Sequence, residues 1–236
     1  MSLHYLTVSE AMRSLLGDLM RSDSLKLFRL VGGTSLALQL GHRLSVDIDL
    51  FAGGRTELPL TISNALAEQF PGDFILNRMQ QHGFSATIRG IKVDVYDWKI
   101  PFTDDGIFED GIRLASTKDI FAYKCEAVLG RRTEKDYVDI AEISKHYTLA
   151  DLFDCFRKRY PHISKGAVLA ILLKPELFER DSSIRYLNGE TWEDYVLLLT
   201  SKISEFENAI EQASKGKLDE REKYIQSLIE QKRKKQ

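Results

Sequence analysis

Two periodicities share this chain, and the change between them near residue 116 restricts its fold more than any other feature. Before it, short segments alternate apolar and polar residues with the two-residue period of half-buried strands. These are Ser45 to Phe51, Phe74 to Met79, Phe84 to Arg89 and Ile91 to Trp98. From Thr117 onward the spacing is helical almost without interruption, which predicts helices near 117–130, 134–146, 149–159, 164–173 and 191–214 and a frayed helix beyond. Residues 1–27 carry Ala11, Leu15, Leu16, Leu19 and Met20 at helical spacing, and Leu60 to Phe70 forms a further helix closed by Pro71-Gly72. The expected fold is α+β: a small mixed β-sheet core flanked by helices in residues 1–115, followed by an α-helical domain in residues 116–236.

Composition removes several function classes. The chain has 236 residues, 43% hydrophobic and 29% charged, which is enough apolar material for a substantial core. Its formal charge is −2, so no global basic field advertises nucleic-acid binding. Cys125 and Cys155 lie far apart, outside any Cys-x-x-Cys pattern, which argues against a disulfide scaffold or a cysteine zinc site. The first residues lack signal-peptide character and the apolar run Ala167 to Leu173 is too short to span a bilayer. A reduced, cytoplasmic protein with no membrane partner is expected.

The chemistry concentrates at Val31-Gly32-Gly33-Thr34-Ser35 and Asp47-Ile48-Asp49. Phe28 to Val31 reads as a short strand ended by the two glycines. Thr34 to Leu40 then reads as a helix with Thr34 or Ser35 at its N-cap and Gly41 stopping it. On the strand Ser45 to Phe51, Asp47 and Asp49 share one face while Val46, Ile48 and Leu50 share the other. Carboxylates this close repel, and a divalent cation such as Mg²⁺ relieves the repulsion while drawing further ligands from water and phosphates. The third carboxylate is assigned to Asp94, on the polar face of the next alternating segment. Asp97 falls on the opposite face, and Asp104 and Asp105 lie in a loop beyond Pro101. An Asp-x-Asp strand alone is ordinarily a solvated sheet face, and Gly-Gly-Thr alone an ordinary turn. Together they place close-approach glycines and unpaired helix N–H groups beside a metal-binding pair, the makings of a nucleoside triphosphate site.

These residues resemble the nucleotidyltransferase superfamily of the DNA polymerase β type, whose signature is a Gly-Gly/Ser turn followed by Asp-x-Asp. More narrowly, the run from Gly32 to Phe51 is similar to the AbiEii/AbiGii toxin family, and the likeness continues at Lys124, Val128 and Lys135-Asp136-Tyr137-Val138-Asp139. The resemblance implies that Asp47 and Asp49 hold Mg²⁺ (or Mn²⁺) and that Gly32, Gly33, Thr34 and Ser35 cradle the triphosphate. Asp94 would be a third metal ligand and the base for the incoming hydroxyl. It also implies transfer of a nucleoside monophosphate from an NTP to a hydroxyl acceptor, a tRNA 3′ end or a protein side chain. The biological role would be that of a toxin neutralised by a separate antitoxin protein.

In the helical part, the resemblance has Lys124 and Lys135 neutralise the β- and γ-phosphates, with Asp136 or Asp139 orienting them. Spacing alone offers a plainer account, in which Lys135 and Asp139 form an i,i+4 surface pair of about 0.3–0.5 kcal/mol and Lys124 extends its charge to solvent. Arg43 is expected either on a phosphate or on a carboxylate of the site, and His42 as a capping or packing residue. Arg131-Arg132 and the run Lys232–Lys235 read as solvated charge or as contacts to an RNA backbone. Trp98, Trp192 and the tyrosines read as scattered core or rim residues. The competing function is a non-catalytic NTP- or partner-binding module. A kinase-type phosphotransferase ranks last, because the Gly-x-Gly-x-x-Gly and His-Arg-Asp loops are missing.

Overall fold

The strand at the centre of the organisation is only three residues long. In the computed structural model, which describes residues 2–54 and 56–233, β1 (Arg29–Val31) lies between β2 (Ile48–Ala52) and β7 (Ile112–Leu114). The remaining strands are β3 (Phe74–Gln80), β4 (Gly83–Ile88), β5 (Ile91–Asp97) and β6 (Ile107–Glu109), and the seven-stranded order is β3-β4-β5-β2-β1-β7-β6. β1 runs antiparallel to β2 and parallel to β7, while β2 runs parallel to β5, so the sheet is mixed. This is the α+β arrangement the patterning predicts.

Alternation decides which face is covered. Leu30, Ile48, Leu50, Phe84, Val93, Val95 and Leu114 are buried against Leu15, Leu16 and Leu19 of α1 (Glu10–Arg21) and Ile62 and Leu66 of α3 (Pro59–Gln69). The second apolar cluster joins α4 (Thr117–Gly130), α5 (Glu134–Ser144), α6 (Leu149–Arg159), α7 (Lys165–Leu172) and the start of α8 (Trp192–Arg233). Val31 of β1 and Leu36 of α2 (Gly32–Leu40) belong to this second cluster, so the helical half packs directly onto the turn after β1. Helices α4, α5 and α6 start alike: Ser116, Thr133 and Thr148 accept the backbone N–H of Asp119, Asp136 and Asp151 and bond the carboxylates of the same residues. No helix among the described residues is long and apolar enough to cross a membrane.

Four elements differ from the sequence reading. α2 begins at Gly32 rather than Thr34 and has no side-chain cap, because the chain leaves β1 through a left-handed Gly32 (φ 66°) and enters the helix at once. β2 begins at Ile48 rather than Ser45: β1 stops at Val31, opposite Asp49, and the Ser45 N–H bonds the Thr7 carbonyl instead of a strand. The hairpin β6–β7 goes unread in the sequence because its strands are three residues each, although its turn, Asp110-Gly111, is a common two-residue hairpin signal. At the other end, α8 is one continuous helix rather than two. Of the basic run Lys232–Lys235, Lys234 and Lys235 lie outside the described residues.

Arg113 on β7 ties the N-terminal segment to the sheet, donating to the carbonyls of Phe28 (2.9 Å), Met20 (2.9 Å) and Leu25 (3.0 Å). Arg113→Ala removes all three bonds to partly buried carbonyls. Chemical denaturation is expected to report a loss of about 2 kcal/mol or more, with little change in the shape of the cleft described next.

Candidate active site

Strand register assembles the first part of the site. Val31 lies opposite Asp49 and Asp49 opposite Asp94, so β1, β2 and β5 set the glycine turn and two carboxylates in one row. Gly32 follows immediately, and a Cβ there would collide with Asp49 Oδ2, so no side chain fits between the helix start and this carboxylate. A Cβ on Gly33 would collide with Arg43 Nη2. Both glycines are therefore required by space, and the unpaired N–H groups of the first turn of α2 open beside Asp49.

The carboxylates sit in unequal surroundings. Burial and the neighbouring charge of Asp94 push the Asp49 carboxyl up to about 6, against the opposing pull of Lys124 and Lys92. Asp94 Oδ2 accepts a hydrogen bond from Lys92 Nζ at 2.7 Å, while its Oδ1 is buried without a partner. Asp47 lies just before β2 and lines the same cleft. Its carbonyl accepts the Thr34 hydroxyl, which also lies 2.8 Å from the Ser45 hydroxyl. Ser35 is fully buried, and its Oγ accepts from Gln39 Nε2 at 3.0 Å. Thus Thr34 fastens the segment carrying Asp47 and Ser35 stabilises the inside of α2; neither hydroxyl is free at the cleft surface. Among the described residues, no three His, Cys, Asp or Glu side chains are closed around a metal position. The row nevertheless offers hard oxygen donors, a buried orphan oxygen and a carboxylate whose charge lacks compensation, which suit a divalent cation.

Behind the row lies a buried network of charge. Asp139 of α5 accepts from Arg43 Nε and Nη2, each at 2.8 Å, and from Lys124 Nζ at 2.7 Å, with His42 Nε2 at 2.8 Å. Burial alone would raise the Asp139 carboxyl, but the Arg43 and Lys124 charges outweigh it and hold it well below the usual range. Burial also disfavours the His42 imidazolium. A neutral His42 donates from Nε2 to Asp139 and leaves its buried Nδ1 without a partner. Lys124 also donates to Asp136 Oδ1 at 2.8 Å, and Asp136 takes Arg131 Nε at 2.9 Å and the Thr133 hydroxyl at 2.8 Å. Of the two expectations for Arg43, the structure gives the carboxylate. His42, expected as a capping or packing residue, is fully buried and in addition bonds Asp139. Lys135 does not pair with Asp139, which faces inward; it pairs with Asp181 Oδ2 at 3.1 Å on the cleft rim.

The cleft has two halves that share Gly33, Asp49, Asp94, Lys124 and Arg131. One is a charged chamber of about 680 Å³ in which Arg43, Lys92, Lys135 and Arg180 alternate with Asp47, Asp136, Glu179 and Asp181. The other is an aromatic chamber of about 490 Å³ bounded by Phe51, Tyr96, Trp98, Tyr123 and Tyr160. Arg131, read in the sequence as solvated charge or an RNA-backbone contact, borders both. Arg180 and the segment 179–184 escape sequence reasoning altogether, because their place in the cleft comes from backbone contacts: Glu134 N–H to the Glu179 carbonyl and Glu179 N–H to the Arg132 carbonyl. No short motif encodes such contacts.

Asp139→Asn leaves Arg43 and Lys124 buried with less compensation, so equilibrium unfolding at pH 7 is expected to show a loss of about 3–5 kcal/mol. Because the folded pKa of Asp139 is depressed, its contribution is complete above the ordinary carboxylate range, near 4, and is lost as pH falls from there toward the folded value. Wild type and Asp139→Asn should therefore converge in stability on acidification.

Comparison with known proteins agrees with this geometry. A protein of Aquifex aeolicus, aq_aa25, is 27% identical over 186 residues, covering 76% of this chain and 87% of its own. The chain is similar in structure to a candidate nucleotidyltransferase from Helicobacter pylori (TM-score 0.52, 19% identity, covering 86% of this chain and 94% of that one). JHP933 from Helicobacter pylori is likewise similar (TM-score 0.50, 18% identity, covering 88% and 96%). These two likenesses establish the fold. The family model described as nucleotidyl transferase AbiEii toxin, type IV TA system, matches residues 13–214. By that match the chain is a nucleotidyltransferase and belongs to the AbiEii toxin family of type IV toxin–antitoxin systems.

Proposed function

We propose that the chain transfers a nucleoside monophosphate from an NTP to a hydroxyl acceptor, releasing pyrophosphate, in a reaction that requires Mg²⁺ or Mn²⁺. The observation that carries this reading is the in-register pair Asp49 and Asp94, with Gly32 packed against Asp49 and Asp47 lining the same cleft. Asp47, Asp49 and Asp94 would hold the cation, and its bonding at Asp94 would use the orphan Oδ1 or displace Lys92 from Oδ2. Bound there, the cation supplies charge stabilisation at the transferring phosphoryl group.

The remaining tasks fall to the chain. Backbone N–H groups at the start of α2 and the Arg131, Lys135 and Arg180 side chains bind the phosphates in the charged chamber. Lys124, paired with Asp136 and Asp139, adds its charge at the floor shared by both chambers. An acceptor hydroxyl attacks the α-phosphorus as the bond to the β-phosphate oxygen breaks. Asp94 receives the hydroxyl proton, and pyrophosphate carries away the leaving electron pair. The acceptor is a tRNA 3′ end or a protein hydroxyl, and the partner that silences the reaction is an antitoxin protein, in keeping with the family.

The test incubates the protein with each α-labelled NTP, Mg²⁺, total tRNA and candidate proteins. Label is expected in RNA or in protein, accompanied by pyrophosphate, and Asp49→Asn should reduce it by about 10³-fold or more. Labelling unchanged in an Asp47→Ala/Asp49→Ala variant overturns the assignment. Tight NTP binding without turnover on any acceptor would favour the non-catalytic module.

Asp49 also costs stability in the cation-free protein. Its folded pKa is raised from 3.8 to about 6, so the folded state binds the proton more tightly than the unfolded chain. The penalty is full above pH 6 and disappears as pH falls toward 3.8. Without cation, Asp49→Asn is expected to stabilise the protein by about 1–2 kcal/mol at pH 7.5 and to have no advantage near pH 4. Excess Mg²⁺ should raise the melting temperature of the wild type and leave that of the variant nearly unchanged.

A further inference from the structure

We infer that the aromatic chamber is a nucleobase site, with the Trp98 ring as its stacking surface; this rests on the transfer reaction proposed above. Tyr96 and Trp98 stack at 5.6 Å with an interplanar angle of 18°, and Phe51 braces both edge-on at 6.2 and 5.8 Å. Tyr123 in turn abuts Phe51 at 5.3 Å. The cluster is layered, yet Trp98 is 46% exposed and lines the chamber. An exposed tryptophan held by its own aromatic neighbours is a prepared surface for a flat, apolar-faced ligand.

The position of the carboxylates selects the ligand. Asp49 and Asp94 border both chambers, so the α-phosphorus belongs at the boundary between them. The β- and γ-phosphates must lie on one side of that atom and the base-bearing sugar, together with the attacking hydroxyl, on the other. The charged chamber adds Arg43, Lys92, Lys135 and Arg180 to the shared Lys124 and Arg131, interleaved with carboxylates, whereas the aromatic chamber brings no further cation of its own. Charge therefore directs the pyrophosphate portion one way and leaves the aromatic wall to a base. That base comes either from the NTP or from the terminal nucleotide of an RNA acceptor, and the surface suits both.

Trp192 is 8% exposed, within the helical core, so Trp192→Phe leaves Trp98 as the lone fluorescent tryptophan. In this background the four NTPs should quench the emission, whereas inorganic tripolyphosphate, which has the charge without the base, should not. A short RNA that quenches, and ceases to do so when its 3′ nucleotide is made abasic, would assign the base to the acceptor instead. Trp98→Leu is expected to weaken whichever ligand quenches by about tenfold or more, with Trp98→Phe recovering most of the loss and tripolyphosphate binding unaffected. Quenching by tripolyphosphate equal to that by NTPs overturns the inference. So does a Trp98→Leu variant with unchanged KM for both NTP and RNA. Normal transfer in that variant would sink the base site alone, whereas base-dependent quenching without any transfer by the wild type would sink the catalytic reading alone.

Discussion

The carboxylate of Asp139 holds the molecule's working parts together. It is fully buried and surrounded by His42 and Arg43 of the loop after α2 and Lys124 of α4, so two other parts of the chain meet α5 at this one group. An ion removed from water this completely would destabilise the fold if any partner were missing, so the geometry of the partners is tightly determined. Arg43 is thereby held against Gly33, and the glycine turn against Asp49. The row of Asp49 and Asp94 is thus backed by this charge network as well as held by strand pairing from the side.

Much of this architecture was readable from local pattern. The alternation in Ile91 to Trp98 places Asp94 and Val93 on opposite faces, and the register with β2 follows from burying Ile48, Leu50, Val93 and Val95 together. Helix starts at Ser116, Thr133 and Thr148 are marked by an acidic residue three positions on. Three-residue strands are another matter. β6 and β7 are too short for any period to emerge, and they exist because β1 offers β7 a parallel edge. The early start of α2 is equally illegible, since nothing local shows that Gly32 must pass within a methyl group of Asp49.

The site was legible in its residue types and only partly in their roles. Asp49 and Asp94 meet as the spacing suggests, and the glycines stand where close approach demands them. Lys124, Asp136 and Asp139 are indeed together, and the lysine pairs with both aspartates while lining the cleft. Helical spacing pairs Lys135 with Asp139 on paper; packing turns one outward and the other inward. The aromatic wall could not be foreseen, because Phe51, Tyr96, Trp98 and Tyr123 belong to three separate segments and share no period. Their juxtaposition is a property of the sheet's edge-to-helix geometry, visible only in three dimensions.

One consequence follows from the way the apolar clusters cross the cleft. Val31 and Leu36 lie beneath the glycine turn yet pack with the helical half, so the two walls of the active site share a floor of close-packed side chains. Walls joined in this manner do not swing apart like a clamshell without tearing that floor. The separation of the walls is thereby set by the core beneath them, and only the side chains at the rim are left outside that packing.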